Sequence, residues 1–375
     1  MKRPNASILA LALLAHGSTA LAQTTTRITS GASSWSSPST DKLGKTLIYT
    51  QGGTTILHTP SKSYAMPVAV SASSPFFSQG GKVLVYASDG DPLGTNDDGN
   101  DEVFLLDLNK RRTVQLTTTA DPASASSVTT DKYGKRVVFL SDADLVTGSN
   151  ADLNPEVFLY TVSTGVFEQL TDTTGVNQNR NPRISASGKL VVYDSDADPL
   201  TTNADGNVEI FLYAVGTATT TQLTTTTVGD CSRPSISADG RFVAFESDTT
   251  ELAGANADGL DEVYRLDRKS STFLRLTDST EASDRAFVSG SGAYVVLESE
   301  GDLVVGGNLD GSNELYLAAI TKAGVSTLTQ VTAGAVGTSS RSATCDHLAK
   351  RIYFRSDADL TSQGSGDDHI FLYVR

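Results

Sequence analysis

The chain is poor in the residues that most often carry chemistry or cross-links. Its 375 residues include 2 cysteines, Cys231 and Cys345. Two cysteines make no disulfide framework, even in an oxidising compartment. A Cys231–Cys345 bridge and two unpaired, partly buried thiols are the alternatives. Histidine is scarce as well: 4 in all, of which His58, His347 and His369 lie outside the N-terminal leader and are expected in different structural units. A histidine-rich metal or proton-transfer centre is therefore not expected. Basic residues are few, 29 Lys and Arg against 43 Asp and Glu, for a net charge of −14. That balance repels nucleic acid phosphates and anionic lipid surfaces, and suits cations and basic partners. Solvated loop acids are the plainer explanation of the same excess. Beyond residue 22 no stretch is apolar and long enough to span a bilayer.

The first 22 residues read as a cleavable leader. Lys2 and Arg3 form a basic start, Ile8 to Ala15 is a short apolar run, and Ala20-Leu21-Ala22 is a small-x-small cleavage site. Gln23 is the expected mature N-terminus of a periplasmic or secreted protein, with residues 23–375 as one domain. Without Lys2 and Arg3 the chain keeps 27 basic residues against 43 acidic ones, a net charge of about −16. Position 23 is not cysteine, so no lipid anchor is expected there.

What is abundant is repetition. Ser141-Asp142-Ala143-Asp144 is followed by Asn150-Ala151-Asp152 and Glu156-Val157-Phe158. The phrase returns as Ser195-Asp196-Ala197-Asp198, Asn203-Ala204-Asp205-Gly206 and Glu209-Ile210-Phe211. Weaker copies begin at Ser88, Ser247, Ser299 and Ser356, so successive starts are 53, 54, 52, 52 and 57 residues apart. A period near fifty residues signals stacked supersecondary units.

Each unit reads as four short strands. From Cys231, a brief run ends at Asp239-Gly240, a pair that favours a hairpin because both residues tolerate positive φ. Arg241 to Glu246 is the second strand, a polar loop runs to Asp261, Glu262 to Leu266 is the third strand, and Phe273 to Thr277 is the fourth. The fourth-strand signature Arg275-Leu276-Thr277 recurs as Gln115-Leu116-Thr117, Gln169-Leu170-Thr171, Gln222-Leu223-Thr224 and Gln330-Val331-Thr332. No stretch shows helical periodicity. The fold class is all-β, a single β-propeller.

The last repeat stops at its third strand, Ile370-Phe371-Leu372-Tyr373, whereas Arg27-Ile28-Thr29 near the N-terminus matches the missing fourth-strand signature. Thr25 to Ser30 should therefore complete the last blade and close the ring. Six repeats carry the long loop. Residues 35–70, with strands at 46–50 and 54–58, read as a degenerate further blade. Seven four-stranded blades are expected, with six as the alternative.

Arg233-Pro234-Ser235-Ile236-Ser237-Ala238-Asp239-Gly240-Arg241-Phe242-Val243-Ala244-Phe245 resembles the PD40, or TolB-like, propeller repeat, as does Asn154-Pro155-Glu156-Val157-Phe158-Leu159-Tyr160. The resemblance covers residues 35–375. It implies a TolB-like propeller but no single function, since the family includes periplasmic TolB, propeller domains of prolyl oligopeptidase-like enzymes and some oligosaccharide lyases. TolB carries an α/β domain before its propeller, and here only a short segment precedes the first strand. No Gly-x-Ser-x-Gly elbow is present, which excludes an oligopeptidase.

Two groups of candidate site residues follow. The loops between second and third strands place oxygen donors at alternate positions, as calcium sites do. The best sets are Asp196, Asp198, Asn203, Asp205 and Glu209, and Asp142, Asp144, Asn150, Asp152 and Glu156. The spacing is not that of an EF-hand, and turn-capping by Asp and Asn is the competing explanation. The last repeat, with Gln363, Ser365 and His369, has the weakest set. The second group is Arg180, Arg233, Arg285 and Arg341 in the connections between blades, which emerge on the same face as those loops. There they could bind an anionic small ligand or a carboxylate-bearing peptide, or pair with loop acids. No catalytic residue is assigned. The expectation is a monomeric, non-enzymatic binding or scaffold propeller, without cofactor unless calcium binds. Its partner would be an envelope or secreted protein or an anionic ligand, with no nucleic acid and no membrane insertion. The alternative is a lyase or glycosidase acting on oligosaccharides.

Overall fold

The computed structural model describes residues 24–30, 38–65, 73–176, 178–254, 256–321, 324, 326–364 and 367–375. The leader at 1–22 and Ser365 lie outside the described residues. All regular structure among them is β-strand: 28 strands in seven four-stranded sheets. Each sheet is an antiparallel meander. The first strand of every sheet touches its counterparts in both neighbouring sheets, round the full circle. The protein is a seven-bladed β-propeller, with the first strands lining the channel.

Blade 1 is Ser39–Thr40, Leu47–Gln51, Thr54–Thr59 and Lys62–Ala65, so the degenerate repeat is a true blade. Blade 7 joins Ser340–Cys345, Arg351–Ser356 and His369–Val374 to Thr24–Arg27 from the other end of the chain. Thr24 pairs with Val374 and Arg27 with Phe371. The strand swap expected from the fourth-strand signature closes the ring.

Each blade is sandwiched between two others, so its middle strands are buried on both sides. Val83–Ser88 is buried at every residue, and such strands read as near-continuous apolar runs. In five blades a second-strand ring stacks on a third-strand ring: Tyr86–Phe104, Phe139–Phe158, Tyr193–Phe211, Phe245–Tyr264 and Phe354–Phe371, with centroids 5.4–6.0 Å apart. The hairpin between first and second strands needs a left-handed residue. Gly292 supplies it in blade 6 at φ 72°, and a Cβ there would run into the Phe242 ring of blade 5. Blade 7 uses Ala349 at φ 49° instead.

Candidate site at the channel mouth

The repeated phrase is the wiring of the loop between second and third strands. Its serine ends the second strand and accepts the N–H two residues on, as Ser141 does from Ala143 (3.1 Å) and Ser195 from Ala197 (3.1 Å). Its second aspartate collects the backbone further along. Asp144 accepts from Gly148, Ser149 and Asn150, and Asp198 from Thr202 and Asn203. The asparagine cinches the loop. Asn150 Nδ2 donates to the carbonyls of Ala143 and Asn154, and Asn203 to those of Ala197 and Asn207. The buried glutamate opening the third strand captures the connection to the next blade: Glu156 accepts from Thr173 N–H at 2.6 Å, and Glu209 from Thr226 Oγ1 at 2.8 Å.

The remaining candidate acids are also placed. Asp142 accepts from Ser124 N–H, Asp196 from Gln178 N–H and Arg180, and Asp152 from Gly175 N–H. Asp205 is exposed. Among the described residues no three His, Cys, Asp or Glu side chains are grouped to hold a metal ion. The two cysteines are unbridged and buried, in blades 5 and 7.

The four arginines divide into two structural positions. Every first strand with a described register, apart from blade 1, carries a β-bulge near its start. In blades 3 to 7 one bulge residue is left-handed: Ser127, Asn181, Arg233, Arg285 and Ser342, at φ 50–57°. Bulges re-aim side chains, and a left-handed non-glycine residue marks a backbone held against its preference. Arg233 and Arg285 occupy this position and line the channel cavity. Arg180 and Arg341 sit one residue earlier. Arg180 pairs with Asp196 at 3.1 Å and Arg341 with Asp368 at 3.0 Å, and neither lines that cavity.

The cavity holds about 410 Å³ and is walled by first strands of several blades. A third guanidinium, Arg183, lies within it. Among the described residues Arg183 has no carboxylate within ion-pair distance, and its one hydrogen bond goes to the Pro182 carbonyl at 3.4 Å. Burial pulls its pKa down, opposed by the negative charge of Asp194. Beneath, the channel narrows to about 60 Å³ between Phe76, Phe77, Ile184, Ile236, Phe287 and Val288. The narrow part mixes these apolar side chains with Arg183 and, toward the turns, Asp41, Lys42 and His347, while the mouth carries Arg183, Arg233, Arg285 and Glu298.

Behind the arginines stand three carboxylates that lie outside the repeated phrase. Asp194, Glu246 and Glu298 face Arg180, Ser232 and Asp284 across the first sheet pair of blades 4, 5 and 6. All are buried. Burial pushes their carboxyls up, Asp194 to about 6 and Glu246 and Glu298 to about 7. The two glutamates fasten neighbouring blades, while Asp194 stays within its own: Glu246 accepts the N–H of Arg285, Glu298 that of Ser342, and Asp194 accepts from the Asn181 side chain. Glu246 also holds Arg233 at 2.8 Å, while Asp284 lies 3.8 Å from Arg233 and 3.7 Å from Arg285. The arginine side chains stay 49% and 48% exposed, so part of each guanidinium faces the cavity. One sequence signal pointed here: a charge just before the strand-ending serine, in Asp194-Ser195, Glu246-Ser247 and Glu298-Ser299.

No family model matches the chain, and no curated protein matches it in sequence. Solved structures do share the architecture. An oligogalacturonate lyase from Vibrio parahaemolyticus is 11% identical over 95% of this chain and 94% of its own, with a TM-score of 0.65. The β-propeller domain of the Trilobed protease from Pyrococcus furiosus is 10% identical over 92% and 96%, with a TM-score of 0.60. TolB from Acinetobacter baumannii is 14% identical over 79% of this chain and 64% of its own, with a TM-score of 0.47. This chain thus spans less than two thirds of that TolB. At these identities the likeness is one of fold.

Proposed function

We propose that this is an exported, non-enzymatic binding propeller whose channel mouth takes an anionic, carboxylate-bearing ligand. The observation that supports it is the convergence of Arg183, Arg233 and Arg285 on one cavity. A guanidinium offers a planar fork to a carboxylate, and partial desolvation strengthens the pairing. The acidic loops around the mouth disfavour bulky polyanions and suit a small ligand or the end of a peptide from an envelope or secreted partner. Export rests on the leader at 1–22. Among the described residues no helix is long and apolar enough to cross a membrane. The test is calorimetric titration with citrate and with short peptides ending in a free or amidated carboxyl. Binding of the free acids, lost in Arg285→Gln and Arg183→Gln, is expected; indifference to both substitutions counts against the site.

A propeller enzyme on oligosaccharides is the second reading. It is favoured by Glu298, which lines the cavity with its carboxyl pushed to about 7, a value suited to proton transfer near neutral pH. Turnover of an oligosaccharide panel, abolished by Glu298→Gln, would select it.

A further inference from the structure

The acidic net charge of the chain conceals a sharp sorting of lysine. The described lysines are Lys42, Lys45, Lys62, Lys82, Lys110, Lys132, Lys135, Lys189, Lys269 and Lys350. Every one lies in or beside a turn joining first to second or third to fourth strands. In a meander these turns emerge on the face opposite the acidic loops and the channel mouth. All are exposed except the half-buried Lys132. Aspartates on this face are already engaged. Asp41, Asp131, Asp239 and Asp346 cap their own turns, while Asp107 pairs with Lys110 and Asp267 with Arg241.

The face is also held together. First-to-second turns of neighbouring blades hydrogen-bond through their backbones: Lys42 N–H to Gln79, Gly80 to Lys132, Lys132 to Ala186, Ala238 to Gly290, Ser291 to His347, and His347 to Lys42. The result is a rim of turns around the lower end of the channel. Three apolar side chains stand out from this rim among the lysines, Leu43 and Tyr133 at 59% exposure and Leu348 at 43%. The ammonium groups of Lys132 and Lys135 lie over the Tyr133 ring, 4.7 and 5.9 Å from its centre. The acidic face exposes apolar side chains as well, Val176, Val305, Leu309 and Val336 among them, but none of the described lysines lies there.

We propose that the lysine-bearing face docks flat on an anionic lipid surface and holds the acidic loops and channel mouth away from it. Lysine ammoniums on flexible stems suit a diffuse field of headgroups, and leucine and tyrosine between them suit the interfacial layer. The net negative charge does not forbid this. Six-residue strands separate the two faces by about 20 Å, more than the Debye length of about 8 Å at physiological ionic strength. A surface touching the lysines is therefore screened from most of the acids, and the charge asymmetry orients the approach.

The test is sedimentation of the protein lacking residues 1–22 with vesicles of phosphatidylcholine alone or mixed with phosphatidylglycerol, at low and physiological salt. Pelleting with the anionic vesicles only, weakened by salt, is expected. Lys42→Glu/Lys132→Glu/Lys135→Glu should weaken it by roughly a hundredfold, and Leu43→Ser/Leu348→Ser should weaken it without changing the salt dependence. Asp205→Asn/Asp258→Asn, on the opposite face, should leave it intact, with unchanged melting showing that each variant folds. Absence of pelleting with anionic vesicles, or equal pelleting by the triple charge reversal, overturns the proposal. So does vesicle-independent growth in light scattering that the reversal abolishes, which would make a second copy the partner. Ligand binding at the channel mouth is read separately, so either result can fail alone.

Discussion

Thr29 Oγ1 accepts a hydrogen bond from the N–H of Ile370 at 3.0 Å, joining residues 341 positions apart. Five other blades make the same bond locally. Thr117, Thr171, Thr224, Thr277 and Thr332 each take the N–H of the second residue of their third strand at 2.8–2.9 Å. The neighbouring backbone bond repeats as well, Ile28 N–H to the Ile370 carbonyl matching Leu116 to Val103. The N-terminal strand is therefore a fourth strand in full, capped by the same side chain as the others. It differs in its acidic partner: His369 takes the place of the third-strand glutamate and meets both Thr29 and Arg27.

Removing residues 24–30 should expose the edge of His369–Val374 and lower the melting temperature by many degrees. Thr29→Val isolates the cap and leaves a buried N–H unpaired, at a cost of about 1–3 kcal/mol. Thermal melts of both proteins check this. A deletion that melts with the parent would mean that ring closure adds nothing to stability.

Both thiols should be silent in the folded protein. Burial pushes Cys231 up to about 12 and raises Cys345 further, and a thiol without thiolate is a poor nucleophile. Native protein should resist iodoacetamide at pH 8 and take up two equivalents after denaturation. Reductant should leave the melting curve unchanged. Rapid labelling of either cysteine in the native state would contradict this burial.

The long loops should behave as self-supporting turns. Asn203 is buried and bridges two carbonyls, whereas Asp205 stands in solvent. Asn203→Ala should destabilise by about 1–3 kcal/mol and Asp205→Ala by well under 1 kcal/mol. Asp196 and Asp198 already accept backbone N–H groups, which leaves Asn203 Oδ1, one Glu209 oxygen and the solvent-facing Asp205 as the open donors. If the turns are self-supporting, melting curves in millimolar Ca²⁺ and in EDTA should coincide. A rise in calcium that Asp205→Ala reduces would instead show a bound cation stabilising the fold by mass action.

The propeller was legible in the sequence because its determinants are local and repeated. Asp-Gly turns, the Gln-Leu-Thr signature and the strand-ending serine each act within one blade, and their period exposes them. Even the long-range closure could be read, since Arg27-Ile28-Thr29 is a copy of a local signal. The channel mouth was only partly legible. Arg233 and Arg341 look alike in sequence, but the bulge sends Arg233 into the cavity, while Arg341, one position earlier, turns to Asp368. A shift of one residue reverses the face of a strand. Arg183 and the carboxylates behind the arginines depend on the closing of neighbouring blades, which no single repeat encodes. The sidedness of lysine was visible residue by residue but hidden in the total charge.

The buried carboxylates give the fold a pH dependence of definite sign. Glu246 and Glu298 rise from an ordinary value of 4.5 to about 7 in the folded protein. Between those values the native state binds more protons than the unfolded state, so stability falls as pH rises. Each group contributes fully below its unfolded pKa, and the contribution is lost by the folded pKa. Its size is on the order of 1–3 kcal/mol per carboxyl. Arg233 beside Glu246 reduces the effect there, and no equally close cation relieves Glu298. The histidines oppose the trend at the acid end, because burial lowers His347 and His369. The melting temperature should therefore decline from pH 6 to pH 8. Glu298→Gln should flatten the decline, because glutamine can still accept the N–H of Ser342 but has no charge to bury. Glu246→Gln should flatten it less, since it leaves Arg233 without its partner. Measured melts at half-unit steps decide the matter: a slope unchanged in Glu298→Gln would mean that this carboxyl stays ionised through the range, and that its burial is relieved in the folded state by groups other than a proton.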